Sequence, residues 1–439
     1  MADRAVVFIS IPGLRQKDLL NMPNLLAIAS RGDSAPLIPT FPALTCPAQV
    51  TMTTGSTPAE HGAIANGYYD RQKHQLEMWT AWNSIIDRPQ IWEVLQQKDP
   101  SIKTAVWFPM LSKGAKADYI CTPAPIHNPD GSESLWCYTE PSELYGELRD
   151  GLGDFPLMNF WGPMADIKSS EWIVDSVIHT MRKYQPRFYY IYLPHLDYTA
   201  QKFGPNSPEA IQAAHDLDDV IGKLYSEFED TLPYDIDWLI AGEYAITDVD
   251  HVSYPNRVLR EAGLLNVSKT GDQEDLDFTH SQAWALADHQ IAHIYLSDKS
   301  STQKVVELFK DKPGIDQVLV GEQLKDVGID HPNSGDIVLV ATPNSWFAYY
   351  FWNDDAAAPS YAHTVDIHRK PGYDPVELFL DTQRMSIPLD ATLVKGSHGA
   401  LVKLDSQKSL FISTCIRKIS KASYSQTEMF DIILKSFGL

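Results

Sequence analysis

Four short apolar runs, separated by amphipathic stretches, constrain this chain more than any other feature. "AVVFIS" begins at Ala5, "IKTAVWF" covers Ile102–Phe108, "RFYYIYLP" covers Arg187–Pro194 and "DIDWLIAG" covers Asp235–Gly242. Each is rich in β-branched and aromatic residues and largely apolar rather than alternating, as strands covered on both faces are. The intervening stretches have helical periodicity. "SSEWIVDSVIHTMRKY" opens on serine, read as its N-cap, and closes on basic residues that suit the negative end of the helix dipole. "SPEAIQAAHDLDDVIGKLYSEF" opens Ser-Pro, a cap followed by proline at the first helical position. The alternation predicts an α/β fold with a mostly parallel central sheet flanked by helices. Sites in such folds gather beyond the C-terminal ends of the strands. Those places are Pro12-Gly13, His195–Gln201 and Gly242–Ile246.

The texture changes after Leu265. Ile291–Leu296, Gln317–Val320 and Asp336–Ala341 read as strands and Thr302–Lys310 as a helix. A smaller α/β insertion over 265–390 is therefore expected, with 1–264 and 391–439 forming the main core. The aromatic run Trp346–Trp352 and the pair Phe160-Trp161 read as core. The net charge of -21 disfavours a nucleic acid partner, and the one basic cluster, Arg417, Lys418 and Lys421, reads as a solvated face. The four cysteines form no CxxC pair, which fits a reducing compartment. With no signal-like start and no long apolar run, the expectation is a cytoplasmic protein without a membrane partner.

One stretch carries chemistry. "LIPTFPALTCPAQVTMTTG" places Thr45 two residues before Pro47, where a helix is expected to begin. A threonine in that turn, near free N–H groups, suits a helix cap, and it equally suits a nucleophile that accepts a phosphoryl group.

Read together, "TFPALTCPAQVTMTTGSTPAEHG" (Thr40–Gly62), "YLPHLDYTAQKFGP" (Tyr192–Pro205), "GEYAITDVDH" and "KGSHGA" (Lys395–Ala400) resemble the nucleotide pyrophosphatase/phosphodiesterase branch of the alkaline phosphatase superfamily. The resemblance runs along nearly the whole chain. It implies an alkaline-phosphatase-like core and, in the family, a Thr or Ser nucleophile between two zinc ions. One metal lowers the nucleophile's pKa and the other holds a phosphoryl oxygen. By position, Thr45 matches the nucleophile, Asp197 the aspartate of the second zinc site and His398 the late histidine.

The remaining positions depart from the pattern. Pro12 replaces a ligand aspartate, Gln201 replaces a histidine, and Glu243-Tyr244 replaces an Asp-His pair. The resemblance thus leaves Asp197, His398, Glu243 and Gln201 as metal donors, for one divalent ion, zinc by its donor set, or for none. A two-metal centre is not expected. His195, Tyr244, His368 and Arg369 are assigned to the substrate side. Two clusters remain open between ordinary polar contacts and replacement ligands: Asp288, His289 and His293, with the histidines spaced as on one helical face, and His363, Asp366 and His368. Asp248, Asp250 and His251 read as structural. The implied function is a hydrolase acting through Thr45 on a small phosphorylated or phosphonate metabolite. The alternatives are a non-catalytic relative that binds a phospho-ligand or partner, and metal-poor chemistry on another ester.

Overall fold

The computed structural model describes residues 4–127, 133–415 and 421–439. Arg417 and Lys418 of the basic cluster lie outside them. Among the described residues the main sheet has nine strands, in the order Tyr424–Ser425, Asp33–Ile38, Ser409–Ser413, Asp235–Gly242, Arg4–Ile11, Phe188–Tyr192, Thr104–Trp107, Tyr119–Pro123 and Cys137–Glu140. From Asp235–Gly242 to Tyr119–Pro123 every pairing is parallel. Antiparallel pairings occur only towards the two sides, through Ser409–Ser413 and Cys137–Glu140. The four apolar runs are the four adjacent strands at its centre, and Val6 to Ile9 are fully buried, as continuous apolar strands require.

Local chemistry sets the flanking helices. Ile167–Tyr184 begins earlier than expected, and its cap is Asp166, whose carboxylate accepts the Lys168 N–H at 3.1 Å. Ser169 instead sits within the first turn. Aspartate is as good a cap as serine, so the choice between them rests on backbone geometry. Pro208–Thr231 is capped as expected by Ser207, which accepts the Ala210 N–H at 3.1 Å. No helix among the described residues is long and apolar enough to cross a membrane.

A second sheet of four strands lies within residues 283–341, ordered Ala283–Asp288, Ile291–Leu296, Ile337–Ala341 and Ile315–Val320, with every pairing antiparallel. His289 and His293 are therefore not on a helical face. His289 is in the hairpin turn at φ 57°, and His293 is on the return strand with its Nδ1 accepting the Gly335 N–H at 3.1 Å. A four-residue spacing fits a helix, but the flanking apolar runs favour strands and tertiary pairing decides. Trp346 to Trp352 is buried in the core beneath this sheet, and Phe160 is in the main core.

The hairpin turn reaches the main core, where Gln290 N donates to the His398 carbonyl at 2.9 Å. The segment Pro371–Tyr373 docks on the neighbouring strand. Tyr373 N donates to the Ala287 carbonyl at 2.9 Å. This approach requires glycine at 372, where φ is +144° and a Cβ would lie 2.0 Å from the Ala287 oxygen.

Candidate functional site

The ends of three adjacent parallel strands frame the site. The strand Arg4–Ile11 leads to Pro12-Gly13, Asp235–Gly242 leads to Glu243-Tyr244, and Phe188–Tyr192 leads to the helix Leu196–Phe203, which carries Asp197 and Gln201. Backbone bonds fix the first two ends together: Glu243 N donates to Ile11 O at 3.1 Å and Gly13 N to Tyr244 O at 3.0 Å.

Thr45 is the first residue of the helix Thr45–Thr54, which Leu44 precedes in extended conformation. It does not cap that helix. Its Oγ1 shares a 2.9 Å hydrogen bond with the Tyr244 hydroxyl. Pro47 falls at the third helical position, still inside the first turn, where a missing N–H costs nothing. Few of the N–H groups at this helix start remain free. Cys46 N donates to Asn66 Oδ1 at 3.1 Å, Pro47 has none, and Ala48 N donates to the Leu44 carbonyl at 2.9 Å.

The Tyr244 ring lies flat on His398, with centroids 3.6 Å apart and planes at 7°. His398 meets His289 at 4.0 Å, and His289 stacks on Tyr373 at 4.0 Å and 12°. Both imidazoles are held by Nδ1. That of His398 donates to the Ala43 carbonyl and that of His289 bonds to Asp288 Oδ1, each at 2.7 Å. Asp288 is itself anchored by the Asn66 backbone N–H at 2.9 Å and its Nδ2 at 3.2 Å. Nε2 of each histidine is buried without a hydrogen-bond partner, as is Oδ1 of Asp197, 3.9 Å from His398 Nε2. Gln201 Oε1 accepts the Tyr373 hydroxyl at 2.9 Å.

Burial dominates the electrostatics. It pushes the Asp197 carboxyl up to about 6, against the opposing effect of His289, and holds His398 well below the usual histidine range. It also pushes Glu243 up to about 8, although Gln49 and Ser10 both donate to its Oε1 at 2.7 Å. The Tyr244 phenol is raised far above its ordinary value, first by burial and then by Asp197. Among the described residues no lysine or arginine pairs with Asp197, Glu243 or Asp288. The buried Lys370 is spent on Asp374 and Glu377, at 2.8 and 2.5 Å.

The structure thus gathers Thr45, Asp197, Gln201, Glu243, Tyr244 and His398 in one place and leaves three assigned residues elsewhere. His195 faces Asp216 of the next helix, with Nε2 3.9 Å from its Oδ2. His368 bonds to the Met78 carbonyl at 3.1 Å, and Arg369 is largely exposed and paired with Asp366. From that same "HRKPGYDP" segment it is Tyr373 that enters the site. Gln49, Asn66 and Ser10 also went unnoticed. Gln49 had a signal, since it lies four residues after Thr45 on the same helix face. Ser10 and Asn66 had no local one.

The residues do not fit the two metals that the resemblance implies. At the first position Pro12 offers no donor, the Tyr244 hydroxyl takes Thr45, and Glu243, with Oε1 taken by Ser10 and Gln49, leaves Oε2 as a single unpartnered donor. At the second, Asp197 Oδ1 and His398 Nε2 are unpartnered and suit one divalent ion, since carboxylate oxygen and imidazole nitrogen each bind zinc at about 2.0–2.2 Å. Among the described residues, however, no three His, Cys, Asp or Glu side chains form a group that could hold an ion.

A mostly parallel sheet that collects a helix-borne threonine, an aspartate and a late histidine beyond the ends of its central strands defines an alkaline-phosphatase-like α/β protein. The chain belongs to the type I phosphodiesterase/nucleotide pyrophosphatase family, whose sequence profile matches residues 6–374. An uncharacterized pyrophosphatase/phosphodiesterase of Schizosaccharomyces pombe is 29% identical over 224 residues, which are 50% of this chain and 40% of that protein. The chain therefore matches less than half the length of that curated relative. Murine ectonucleotide pyrophosphatase/phosphodiesterase 5, solved as an inactive variant with AMP, superimposes with a TM-score of 0.65 at 14% identity, over 99% of this chain and 95% of that one. Phosphonoacetate hydrolase from Sinorhizobium meliloti 1021, solved with phosphonoformate, does so with a TM-score of 0.64 at 16% identity, over 99% and 96%. At these identities the likeness is one of fold.

Proposed function

We propose that this chain is a hydrolase of small phosphorylated or phosphonate metabolites, with Thr45 as the phosphoryl acceptor and a reduced metal site at Asp197 and His398. The observation that carries this is the convergence of the Thr45 hydroxyl with two buried, unpartnered donor atoms 3.9 Å apart. A divalent ion there would supply positive charge against a phosphoryl oxygen. This chain's own residues do the rest. Ala43 O fixes the His398 tautomer, Tyr244 orients the Thr45 hydroxyl, and the burial of both reactive groups excludes water. The structural neighbours solved with AMP and phosphonoformate support the ligand class.

A second reading, a relative that binds such a ligand without turning it over, is favoured by one observation. At the first metal position Pro12 offers no donor, the Tyr244 hydroxyl is committed to Thr45, and Glu243 holds Ser10 and Gln49 on Oε1, which leaves Oε2 as the one unpartnered atom there. Assays with p-nitrophenyl phosphate, its bis-ester and phosphonoacetate, with zinc or manganese added, separate the two. Turnover that Thr45→Ala abolishes supports the hydrolase. Ligand binding without turnover, surviving in Thr45→Ala, supports the second reading.

A further inference from the structure

Among the described residues, three buried acceptors of this site have nothing to accept. Nδ1 of His398 donates to the Ala43 carbonyl and Nδ1 of His289 to Asp288, a carboxylate that also accepts both donors of Asn66. Each ring is then neutral with a lone pair at Nε2, since an imidazolium would bury a charged N–H without a partner. Both Nε2 atoms are unpartnered, and so is Asp197 Oδ1, 3.9 Å from that of His398. The two rings pack with centroids 4.0 Å apart. His398 is 1% exposed, His289 3% and Asp197 5%, so bulk water does not satisfy these atoms. Bare buried acceptors are costly and call for a donor.

A divalent ion does not answer that call. Bonds to zinc are about 2.0–2.2 Å, and among the described residues no three His, Cys, Asp or Glu side chains close on one point so tightly. A primary ammonium does. Its three N–H groups equal the three acceptors in number. Its hydrogen bonds run to about 2.9 Å, so it draws on acceptors spaced too widely for an ion. Its single charge answers the single carboxylate of Asp197. Glu243 Oε2, also unpartnered, adds no second charge near neutral pH. Burial pushes this carboxyl up to about 8, and because Oε1 accepts Ser10 and Gln49 the proton is on Oε2.

Donors lie beside these acceptors. Gln201 Nε2 is unpartnered while its Oε1 accepts the Tyr373 hydroxyl at 2.9 Å. The Thr45 and Tyr244 hydroxyls use one of their two protons on each other and have the second to give. Such donors suit phosphoryl or phosphonyl oxygens, and the acceptors suit a cation. Resting on the phosphoryl-ligand reading above, we infer that the ligand brings its own cation: a primary ammonium, on a short chain from the phosphoryl or phosphonyl group, accepted by Asp197 Oδ1, His398 Nε2 and His289 Nε2 in the place of an ion. The substrate class is thus an aminoalkyl phosphate or phosphonate. A quaternary ammonium, which has no N–H, does not fit.

Calorimetric titration of the full chain in chelator tests this with 2-aminoethylphosphonate, ethylphosphonate and 2-(trimethylammonio)ethylphosphonate as probes. The expected result is that the primary amine binds at least tenfold tighter than either of the others. The ¹⁵N shifts of Nε2 in His289 and His398 should move with the amine and not with ethylphosphonate. Asp197→Asn should remove most of the amine's advantage, and a folded variant that keeps it overturns the inference. If that variant does not fold, the wild-type shifts decide, and Nε2 signals unmoved by the amine overturn it. Ethylphosphonate or the trimethylammonium probe binding as tightly as the primary amine overturns the inference and leaves the proposed function standing. Added zinc that raises ethylphosphonate to the affinity of the amine does the same, in favour of an ion at this place. Failure of all three probes to bind, with or without zinc or manganese, overturns the proposed function and the inference with it.

Discussion

The hydroxyls of Tyr244 and Thr45 lie 2.9 Å apart, both on side chains shut away from solvent. Tyr244 stands where the family resemblance places a metal-binding histidine, so a hydrogen bond occupies the position of a metal–ligand contact. With its phenol pushed far above the ordinary value by burial, Tyr244 orients Thr45 but does not serve as its base near neutral pH. Tyr244→Phe keeps the ring on His398 and removes only the hydroxyl. The expected cost is about 1 kcal/mol, read as a shifted urea midpoint with an unchanged slope. A loss above about 3 kcal/mol would show that the hydroxyl has further structural duties.

Gly372 controls whether Tyr373 reaches the site. At φ +144° and with a Cβ position 2.0 Å from the Ala287 oxygen, alanine at 372 cannot be accommodated without moving the segment. Gly372→Ala should destabilise the chain by about 2 kcal/mol or more and release His289 from its stack on Tyr373. The NMR shifts of the His289 ring protons report that stack directly. Unmoved shifts at wild-type stability would refute the role.

Much of this fold was legible because buried parallel strands are locally distinctive. "DIDWLIAG" alone gave the limits of its strand, Asp235–Gly242. The site was less so. Thr45, Asp197, Glu243 and His398 were found by position in motifs, but the direction of a side chain was not. Glu243 turns toward Ser10, more than 200 residues away in sequence, and Tyr373 arrives only because Gly372 allows its segment to dock on a strand from the second sheet. Such long-range pairings leave no local periodicity. Within "HRKPGYDP" the charged residues drew attention, whereas the aromatic one enters the pocket.

Helix caps give a separate check on the backbone reading. Asp166 and Ser207 each accept one N–H at the start of a long helix beside the main sheet. Asp166→Ala and Ser207→Ala should each cost about 1 kcal/mol in urea unfolding, and the two losses should add in the double variant if the caps act independently. An Asp166→Ala variant of unchanged stability would place the start of its helix at Ser169 after all.

His61 makes the stability of the Thr45 helix depend on pH. It is fully buried beside that helix, with Nε2 bonded to Thr51 Oγ1 at 3.0 Å and Nδ1 accepting the Ala63 N–H at 3.2 Å. The ring is therefore neutral with its proton on Nε2. Burial, and next the proximity of His331, lower its pKa from 6.5 to about 3. Because the folded value lies below the unfolded one, the unfolded chain binds the extra proton between these limits. Stability is fully present above pH 6.5 and is lost as pH falls toward 3, at up to about 1.4 kcal/mol per pH unit. At about pH 5 the term amounts to roughly 2 kcal/mol. His293, lowered to about 4 by burial, contributes with the same sign. Urea unfolding at about pH 7.5 and about pH 5 should show wild type losing stability between them, and His61→Asn losing about 2 kcal/mol less. The comparison uses the difference between the two pH values within each variant, so any uniform cost of the substitution cancels. An identical pH difference in both would mean that His61 takes up its proton without unfolding.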